Sequence, residues 1–197
     1  MTESPVLAII VLAAGRSARF GLADKLAGQI GESTVLAESL RAYKNIKAIH
    51  RFVIVAAHST FAETAFAADF DIVVNDKVDA GMGDSIACGM RAVRKADPLP
   101  TYVLIGLGDM PCITSTTIAT LFSAAKNETD IIVPCRHGTR GHPRLFGAAH
   151  FAALAALQGD TGARHLLAGA QAVTEVVVSD AGIIVDVDTT ADLERLN

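Results

Sequence analysis

Short apolar runs rich in β-branched residues alternate with longer helix-like segments along almost the whole chain. Near-continuous apolar strands separated by helices are typical of a parallel sheet that is buried on both faces. The sequence therefore predicts an α/β protein. Strands are predicted over residues 7–12, 52–56, 72–74, 102–107, 131–134, 176–178 and 183–187. Helices are predicted over residues 34–43, 61–66, 84–95, 114–125, 148–157, 163–168 and 190–196, with Asp84, Thr114 and Thr189 as start signals for three of them.

The composition supports one domain. The chain has 197 residues, of which 51% are hydrophobic and 19% charged, so it has enough apolar side chain for one sizeable core. No low-complexity tract, repeat or linker divides it, and we expect residues 1–197 to form a single Rossmann-like α/β/α domain with a mostly parallel central sheet. The basic stretch 136–144 is the one long connection, and residues 136–178 are the expected position of a small substrate-binding lobe.

Charge and cysteine content exclude some classes of function. The net charge of −4 argues against a general nucleic-acid binder. The three cysteines, Cys88, Cys112 and Cys135, lack metal-ligand spacing, and with no secretory signal they predict a reducing cytoplasm. No apolar run reaches the roughly 18 residues that a membrane helix needs, so no membrane association is expected.

The stretch after the first predicted strand combines small residues with positive charge. Ala13, Ala14 and Gly15 let a ligand approach the backbone, so that amide groups can meet anionic oxygens. Three cations follow: Arg16, Arg19 and Lys25. This combination suits a nucleoside triphosphate, and the alternative is an ordinary strand-to-helix connection with solvated cations. The glycine spacing matches neither a Walker A loop nor a dinucleotide-binding fingerprint.

Acidic residues follow two of the predicted strands. Asp109 comes after the strand over 102–107, and Asp186 and Asp188 lie at the end of the last predicted strand. Because ligands of an open parallel sheet bind at the carboxyl ends of its strands, Asp109 and Asp188 are expected to converge on one ion, with Asp186 as the competing ligand. Carboxylate and triphosphate oxygens suit Mg²⁺, with Mn²⁺ as the alternative. A lone aspartate at a strand end is otherwise a turn former or a helix cap.

Several motifs resemble those of one enzyme family. The opening, Leu12-Ala13-x-Gly15-x-Ser17-x-Arg19-Phe20-Gly21-x-x-x-Lys25, is similar to that of the nucleotidyltransferases, as is Gly108-Asp109-Met110-Pro111. Gly141-His142-Pro143 and Gly159-Asp160-x-Gly162-Ala163 resemble most the molybdenum cofactor cytidylyltransferases, in the molybdopterin-nucleotide branch of that family. The resemblance covers almost the whole chain.

The resemblance implies a role for each matching residue. Catalysis is assigned to Lys25, which reaches the α-phosphate, to Arg19 and to Asp109, and the metal is assigned to Asp109 and Asp188. Arg16 and Arg19 would contact the β- and γ-phosphates or the leaving pyrophosphate. The implied nucleotide-binding residues are Leu12, Ala13, Ala14, Gly15, Arg16, Asn75, Gly81 and Ser85. The implied acceptor-binding residues are His142, Arg144, Asp160 and Arg164.

The same resemblance implies a reaction. CMP would pass from CTP to molybdenum-bound molybdopterin, giving the molybdopterin cytosine dinucleotide cofactor and pyrophosphate, and the product would serve a client enzyme of the xanthine dehydrogenase or aldehyde oxidase type. Ala14 stands where guanylyl-transferring relatives carry glycine, and its methyl group favours CTP over GTP. The alternatives are cytidylyl, uridylyl or guanylyl transfer to another small phosphorylated acceptor, and a non-catalytic maturation factor that binds the cofactor.

Overall fold

The computed structural model describes residues 5–15, 24–57, 59–77, 81–169 and 173–197. An eight-stranded sheet runs through the centre of this part of the chain. Its strands are β1 (Leu7–Ala13), β4 (His50–Ala56), β5 (Asp71–Asn75), β6 (Tyr102–Leu107), β7 (Ile131–Arg136), β8 (Thr139–Arg140), β9 (Arg144–Gly147) and β10 (Thr174–Val177). A separate hairpin consists of β2 (Gln29–Ile30) and β3 (Ser33–Thr34).

The central sheet is mostly parallel. Its strand order is β10-β7-β9-β6-β1-β4-β5, and β8 pairs with β7. β1 lies parallel to both β4 and β6, β4 lies parallel to β5, and β7 lies parallel to β10. β9 runs antiparallel to its two neighbours, β6 and β7. The protein is a single α/β domain with a Rossmann-like arrangement, which confirms the predicted fold class.

Helices cover both faces of the sheet. They are α1 (Val35–Lys44), α2 (Ala62–Ala67), α3 (Met82–Val93), α4 (Ser115–Ser123), α5 (Phe151–Ala155), α6 (Arg164–Gly169) and α7 (Thr190–Glu194). Helices α1, α2 and α4 pack into one core cluster with Val11, and α3 and α5 pack into a second cluster with Ile10. Neighbouring residues of a strand point to opposite faces, so β1 must be apolar on both sides, as its sequence LAIIVLA is.

The start signals of two helices are confirmed and the third is wrong. The Thr114 hydroxyl accepts a hydrogen bond from the backbone N–H of Thr117, and Thr189 caps α7 in the same way. Helix α3 begins earlier than predicted, at Met82. Asp84 therefore lies inside the first turn, where its carboxylate accepts from the backbone N–H of Gly81.

The predicted strand over residues 183–187 is also wrong. Residues Ala181–Ile184 form a 3-10 helix, which Asp180 caps by accepting from the backbone N–H of Gly182 at 2.8 Å. A Cβ at Gly182 would lie 2.2 Å from the carbonyl oxygen of Cys112, so this segment packs tightly against the chain that follows β6. An apolar run alone does not distinguish a strand from such a turn.

Residues 136–178, the expected small lobe, contribute strands to the central sheet. β9 lies between β6 and β7, and β10 extends the sheet beyond β7. The sequence prediction missed β9 because a four-residue strand that follows a glycine- and proline-containing loop has too few residues to show a period. No helix within the described ranges is long and apolar enough to cross a membrane. All three cysteines are free; Cys112 is exposed and the other two are buried.

Candidate active site

Three segments predicted to form the site lie at the carboxyl edge of the parallel strands. Ala13 ends β1, Asn75 ends β5, and Asp109 follows the last residue of β6 by two positions. The backbone N–H of Gly108 donates to the carbonyl oxygen of Leu12 at 2.9 Å, which fastens the exit of β6 to the end of β1. In open α/β sheets this edge is where ligands bind.

Lys25 lies between two aspartates. Its Nζ is 2.6 Å from Asp109 Oδ2 and 2.9 Å from Asp188 Oδ1. Only 12% of the lysine side chain is exposed, so this ion pair is screened less than a surface pair would be. The structure thus brings together three residues that the sequence assigned to one centre.

The local backbone fixes the position of Lys25. Lys25 opens a 3-10 helix, Lys25–Ala27, which is capped by Asp24: its Oδ1 accepts from the backbone N–H of Leu26 at 3.0 Å. Leu26 is buried in the core, so it holds this short helix against the domain. The Lys25 side chain therefore starts from a fixed backbone.

Hydrogen bonds of the neighbouring residues fix the position of Asp188. The backbone N–H of Val187, a fully buried residue, donates to the backbone carbonyl of Asp109 at 2.9 Å. Thr189 and Asp192 form a capping box at the start of α7, and Asp192 also accepts from the backbone N–H of Asp188. Asp188 does not lie on a strand. The hydrogen bond between Val187 and Asp109 and the start of α7 hold it close to Asp109.

Opposing effects set the charge state of this centre. Burial alone would lower the pKa of Lys25, but the charge of Asp109 and the hydrogen bonds to Asp109 and Asp188 raise it above its ordinary value. Lys25 is therefore an ammonium ion at neutral pH. Burial raises the pKa of Asp186, and the negative charges of Asp188 and Asp109 raise it further. Asp186 thus belongs to the same acidic cluster.

The two carboxylates fit a metal ion that is shared with a ligand. Asp109 Oδ2 and Asp188 Oδ1 already converge on one cation, the Lys25 ammonium. Within the part of the chain that the structure describes, no group of three or more His, Cys, Asp or Glu side chains could hold a metal. Mg²⁺ commonly binds one or two carboxylates and takes its remaining ligands from phosphates and water. The donor set suits that arrangement better than a cage made of protein alone.

The small-residue loop leaves β1 beside this centre. Ala13 and Ala14 are buried, Leu12 is partly exposed and Gly15 is exposed. Among the described residues, no atom lies within 4 Å of the position that a Cβ at Gly15 would take, so none of them blocks the approach of a ligand to the backbone there. The other two cations predicted for this loop, Arg16 and Arg19, lie outside the described residues.

Asn75 and Ser85, both predicted to bind the nucleotide, contact each other. Asn75 Nδ2 donates to Ser85 Oγ at 3.4 Å, and each residue is only 4% exposed. The backbone N–H of Ser85 donates to the carbonyl of Gly81, the residue before α3. The pair lies between the end of β5 and the start of α3.

The glycines at the start of α3 make room for another part of the backbone. A Cβ at Gly81 would lie 2.3 Å from the carbonyl carbon and oxygen of Gly159, and one at Gly83 would lie 2.8 Å from the carbonyl oxygen of Gln158. The backbone N–H of Gly83 donates to the Gly159 carbonyl at 2.7 Å. Residues 158–159 therefore fill the space at both positions, including that at Gly81, which the resemblance assigns to the nucleotide. We call this contact the glycine interlock.

Asp84 reinforces the glycine interlock. Its Oδ2 accepts from the backbone N–H groups of Gly81 at 3.1 Å and Gly159 at 3.0 Å, while Oδ1 accepts from Lys77 Nζ. The hydrogen bond from Lys77, together with these backbone bonds, holds the pKa of Asp84 below its ordinary value. Sequence reasoning treated Asp84 as a cap and missed Lys77. The available signal was an acid three residues after a helix-start glycine.

Two of the residues predicted to bind the acceptor, Arg144 and Arg164, form a positive cluster with Arg140 near His142. Burial, together with the charges of Arg144 and Arg164, lowers the pKa of His142 to about 3, so the imidazole is neutral at neutral pH. Burial lowers the pKa of Arg144, and the charges of Arg164 and Arg140 add to that effect. His142 Nδ1 is buried and has no hydrogen-bond partner among the described residues. Asp160 is exposed and lies beside Gly81 in the glycine interlock. Such a cluster suits an anionic group.

Residues 9–176 match the family model of the MobA-like NTP transferase domain. This range covers most of the chain, and the chain belongs to that family. Among curated proteins, no match was found.

Solved structures agree with this assignment. A homologue of Mycobacterium tuberculosis Rv0371c from Mycobacterium sp. strain JC1 is 29% identical, with a TM-score of 0.79 over 96% of this chain and 94% of that one. Rv0371c from M. tuberculosis H37Rv, in complex with manganese, is 27% identical, with a TM-score of 0.73 over 97% of each chain. A cytidylyltransferase from Leptospira borgpetersenii is 16% identical, with a TM-score of 0.76 over 98% of this chain and 85% of that one, and shows the shared fold alone.

Proposed function

We propose that this MobA-like NTP transferase transfers CMP from CTP to molybdenum-bound molybdopterin and releases pyrophosphate. The observation that carries the proposal is the Lys25 ammonium held between Asp109 and Asp188, at the sheet edge where β1 ends. A buried lysine and two carboxylates suffice for nucleotidyl transfer, because that reaction depends on positioning and charge more than on a covalent nucleophile.

The chain supplies three functions to the reaction. Lys25 contacts the α-phosphate and stabilises the charge that develops there, while the backbone at Gly15 supports the triphosphate. Asp109 and Asp188 hold the metal ion, and when bound Mg²⁺ or Mn²⁺ neutralises phosphate charge and orients the α-phosphate. An acceptor phosphate oxygen forms a bond to the α-phosphorus, the bond from that phosphorus to the bridging oxygen breaks, and the bridging oxygen leaves with its electron pair as part of pyrophosphate.

Lys25 must exchange partners for this to occur. Its ammonium occupies the space between Asp109 Oδ2 and Asp188 Oδ1 in the structure. If Asp109 and Asp188 held a divalent ion, Lys25 would leave their oxygens because of charge repulsion and would contact the negatively charged triphosphate. Binding of the nucleotide and of the metal are therefore expected to favour each other.

The choice of base rests on two features. The methyl group of Ala14 occupies room that a purine would need, and the amide of Asn75 with the hydroxyl of Ser85 offers hydrogen bonds to a pyrimidine edge. A structural relative solved with manganese supports a divalent metal at this kind of centre.

The choice of acceptor rests on the positive cluster. Arg144 and Arg164 would bind the phosphate of molybdopterin, with the neutral imidazole of His142 and the carboxylate of Asp160 as further polar contacts. In this proposal the protein acts in the cytoplasm. A molybdoenzyme of the xanthine dehydrogenase or aldehyde oxidase type receives the product.

The test incubates the purified protein with Mg²⁺, each nucleoside triphosphate and molybdenum-bound molybdopterin, and measures pyrophosphate release and product mass. We expect CTP to be preferred, and the variant Ala14→Gly to narrow the preference over GTP without reversing it, since one methyl group is worth about 1–3 kcal/mol. Preference of the wild type for GTP would overturn the cytidylyl assignment. Transfer to a sugar phosphate instead would favour another acceptor, and binding without pyrophosphate release would favour a maturation factor.

A further inference from the structure

Two polar atoms beneath the centre are buried without a hydrogen-bond partner among the described residues. One is the Tyr43 hydroxyl and the other is Asp109 Oδ1, the carboxylate oxygen that does not contact Lys25. Burying a polar group without a partner costs about 1–3 kcal/mol. Both atoms lie along the end of β6, one against Gly106 and the other on Asp109, and they therefore call for a common explanation.

The protein makes specific room for the tyrosine hydroxyl. Tyr43 is fully buried on α1, which packs against the face of the sheet that includes β6. A Cβ at Gly106 would lie 2.1 Å from the Tyr43 hydroxyl oxygen, so only glycine at this position of β6 admits the phenol. Gly106 precedes Asp109 by three residues. The hydroxyl thus lies against the end of β6, just before the residue whose carboxylate is proposed to bind the metal.

Electrostatic coupling agrees with this placement. Burial raises the pKa of Tyr43, and the negative charge of Asp109 raises it further. The phenol therefore keeps its proton and can act as a hydrogen-bond donor. Phenylalanine would fill the same apolar layer without burying a hydroxyl. The tyrosine hydroxyl must therefore have a hydrogen-bond partner that offsets the free energy lost on its burial.

We propose that Tyr43 is a positioning residue, which fixes the Asp109 carboxylate through one buried water molecule joining the Tyr43 hydroxyl to Asp109 Oδ1. Such a water satisfies both buried atoms at once. It holds Oδ1 inward and so presents Oδ2 to Lys25 and to a metal ion. Tyr43 touches neither nucleotide nor acceptor. This inference rests on the proposed metal role of Asp109.

The experiment measures Mn²⁺ binding to the full chain by calorimetry, without acceptor and without turnover. The variant Tyr43→Phe removes only the hydroxyl, and we expect the Kd for Mn²⁺ to rise about tenfold or more, as is typical when a partner of a metal ligand is removed. The matched control is Tyr102→Phe, because the other tyrosine donates its hydroxyl to the Asn127 carbonyl at 2.9 Å, away from the centre. This control should leave the Kd unchanged.

A second comparison shows whether Tyr43 acts through Asp109. In an Asp109→Ala background, Tyr43→Phe should cause no additional loss of Mn²⁺ affinity. An unchanged Kd in Tyr43→Phe, equal losses in both tyrosine variants, or an additional loss in the Asp109→Ala background would each overturn the proposal. Failure of the wild type to bind Mn²⁺ would also overturn it. Nucleotidyl transfer is measured separately, so a negative result here leaves the test of the reaction intact.

Discussion

Lys25 and Asp109 form a 2.6 Å ion pair across 84 residues of sequence, at the point where β6 leaves the sheet. Asp188, at 2.9 Å, completes the arrangement from the opposite end of the chain. The position of the lysine therefore depends on two separate local structures, the capped 3-10 helix Lys25–Ala27 and the contact between Val187 and Asp109. An ammonium shared by two carboxylates is the feature on which the proposed catalysis depends.

Removing the lysine charge should affect turnover more than binding. For Lys25→Ala we expect kcat to fall about 10²-fold or more, while the Kd for CTP changes by less than about tenfold, because the charge matters most as the α-phosphate reacts. Steady-state kinetics and calorimetry measure the two quantities, with thermal unfolding as the control for folding. Unchanged kcat in a folded variant would remove Lys25 from the mechanism.

The three acids of the cluster should not be equivalent. Asp109→Ala and Asp188→Ala are each expected to abolish Mg²⁺-dependent activity and to leave the protein folded, because both side chains lie at the edge of the core. Asp186→Ala should retain activity and serve as the matched control. If Asp188→Ala stays active and Asp186→Ala does not, the second ligand is Asp186.

The glycine interlock should matter for both stability and acceptor binding. In Gly81→Ala the new methyl group would collide with the Gly159 backbone, and we expect a loss of about 1–3 kcal/mol in the free energy of unfolding. Because Asp160 and Arg164 follow that backbone, KM for the acceptor should rise more than KM for CTP. Gly169→Ala is the control, since no atom of the described residues lies within 4 Å of the position that a Cβ there would take. Equal effects of both variants would show that the interlock does not support the site.

His142 should make folding more sensitive to acid. Its pKa in the folded protein is about 3, below the ordinary value of 6.5, so the unfolded chain takes up a proton first as the pH falls. Stability from the neutral ring is therefore complete above about pH 6.5 and is lost as the pH falls towards 3, by up to about tenfold in the unfolding equilibrium for each pH unit. His142→Gln lacks this titration. The free energy of unfolding of both proteins is measured in urea at several pH values. The advantage of the wild type over the variant should shrink or reverse in acid. A difference that stays constant with pH would contradict this role of His142.

The sequence predicted the elements of the sheet centre well. β1 and β6 are apolar on both faces, and runs of this length in a chain with so many intervening helices favour a buried parallel strand. The sequence also predicted that Asp109 and Asp188 lie close together, but for a wrong reason, since it placed Asp188 at the end of a strand. Asp188 does not end a strand, and its position depends on the hydrogen bond from Val187 to Asp109.

Features that depend on distant contacts were not predictable from one sequence. The insertion of β9 between β6 and β7 is decided by pairing across the sheet, and its four residues carry no period of their own. The roles of Gly81 and Gly106 likewise depend on what lies opposite, Gly159 in one case and the Tyr43 hydroxyl in the other. Local patterns indicate where glycine is needed, but not which group fills the space.

The fate of the α-phosphorus tests the central claim most directly. Purified protein is incubated with Mg²⁺, molybdenum-bound molybdopterin and CTP that carries an isotope label on either the α- or the γ-phosphate, and the products are separated. We predict that the α-label enters the acceptor as CMP and that the γ-label leaves in pyrophosphate. The variant Asp109→Ala should show neither the transfer nor the release. Appearance of the γ-label in the acceptor, or release of the α-label as free CMP without transfer, would contradict nucleotidyl transfer by this centre.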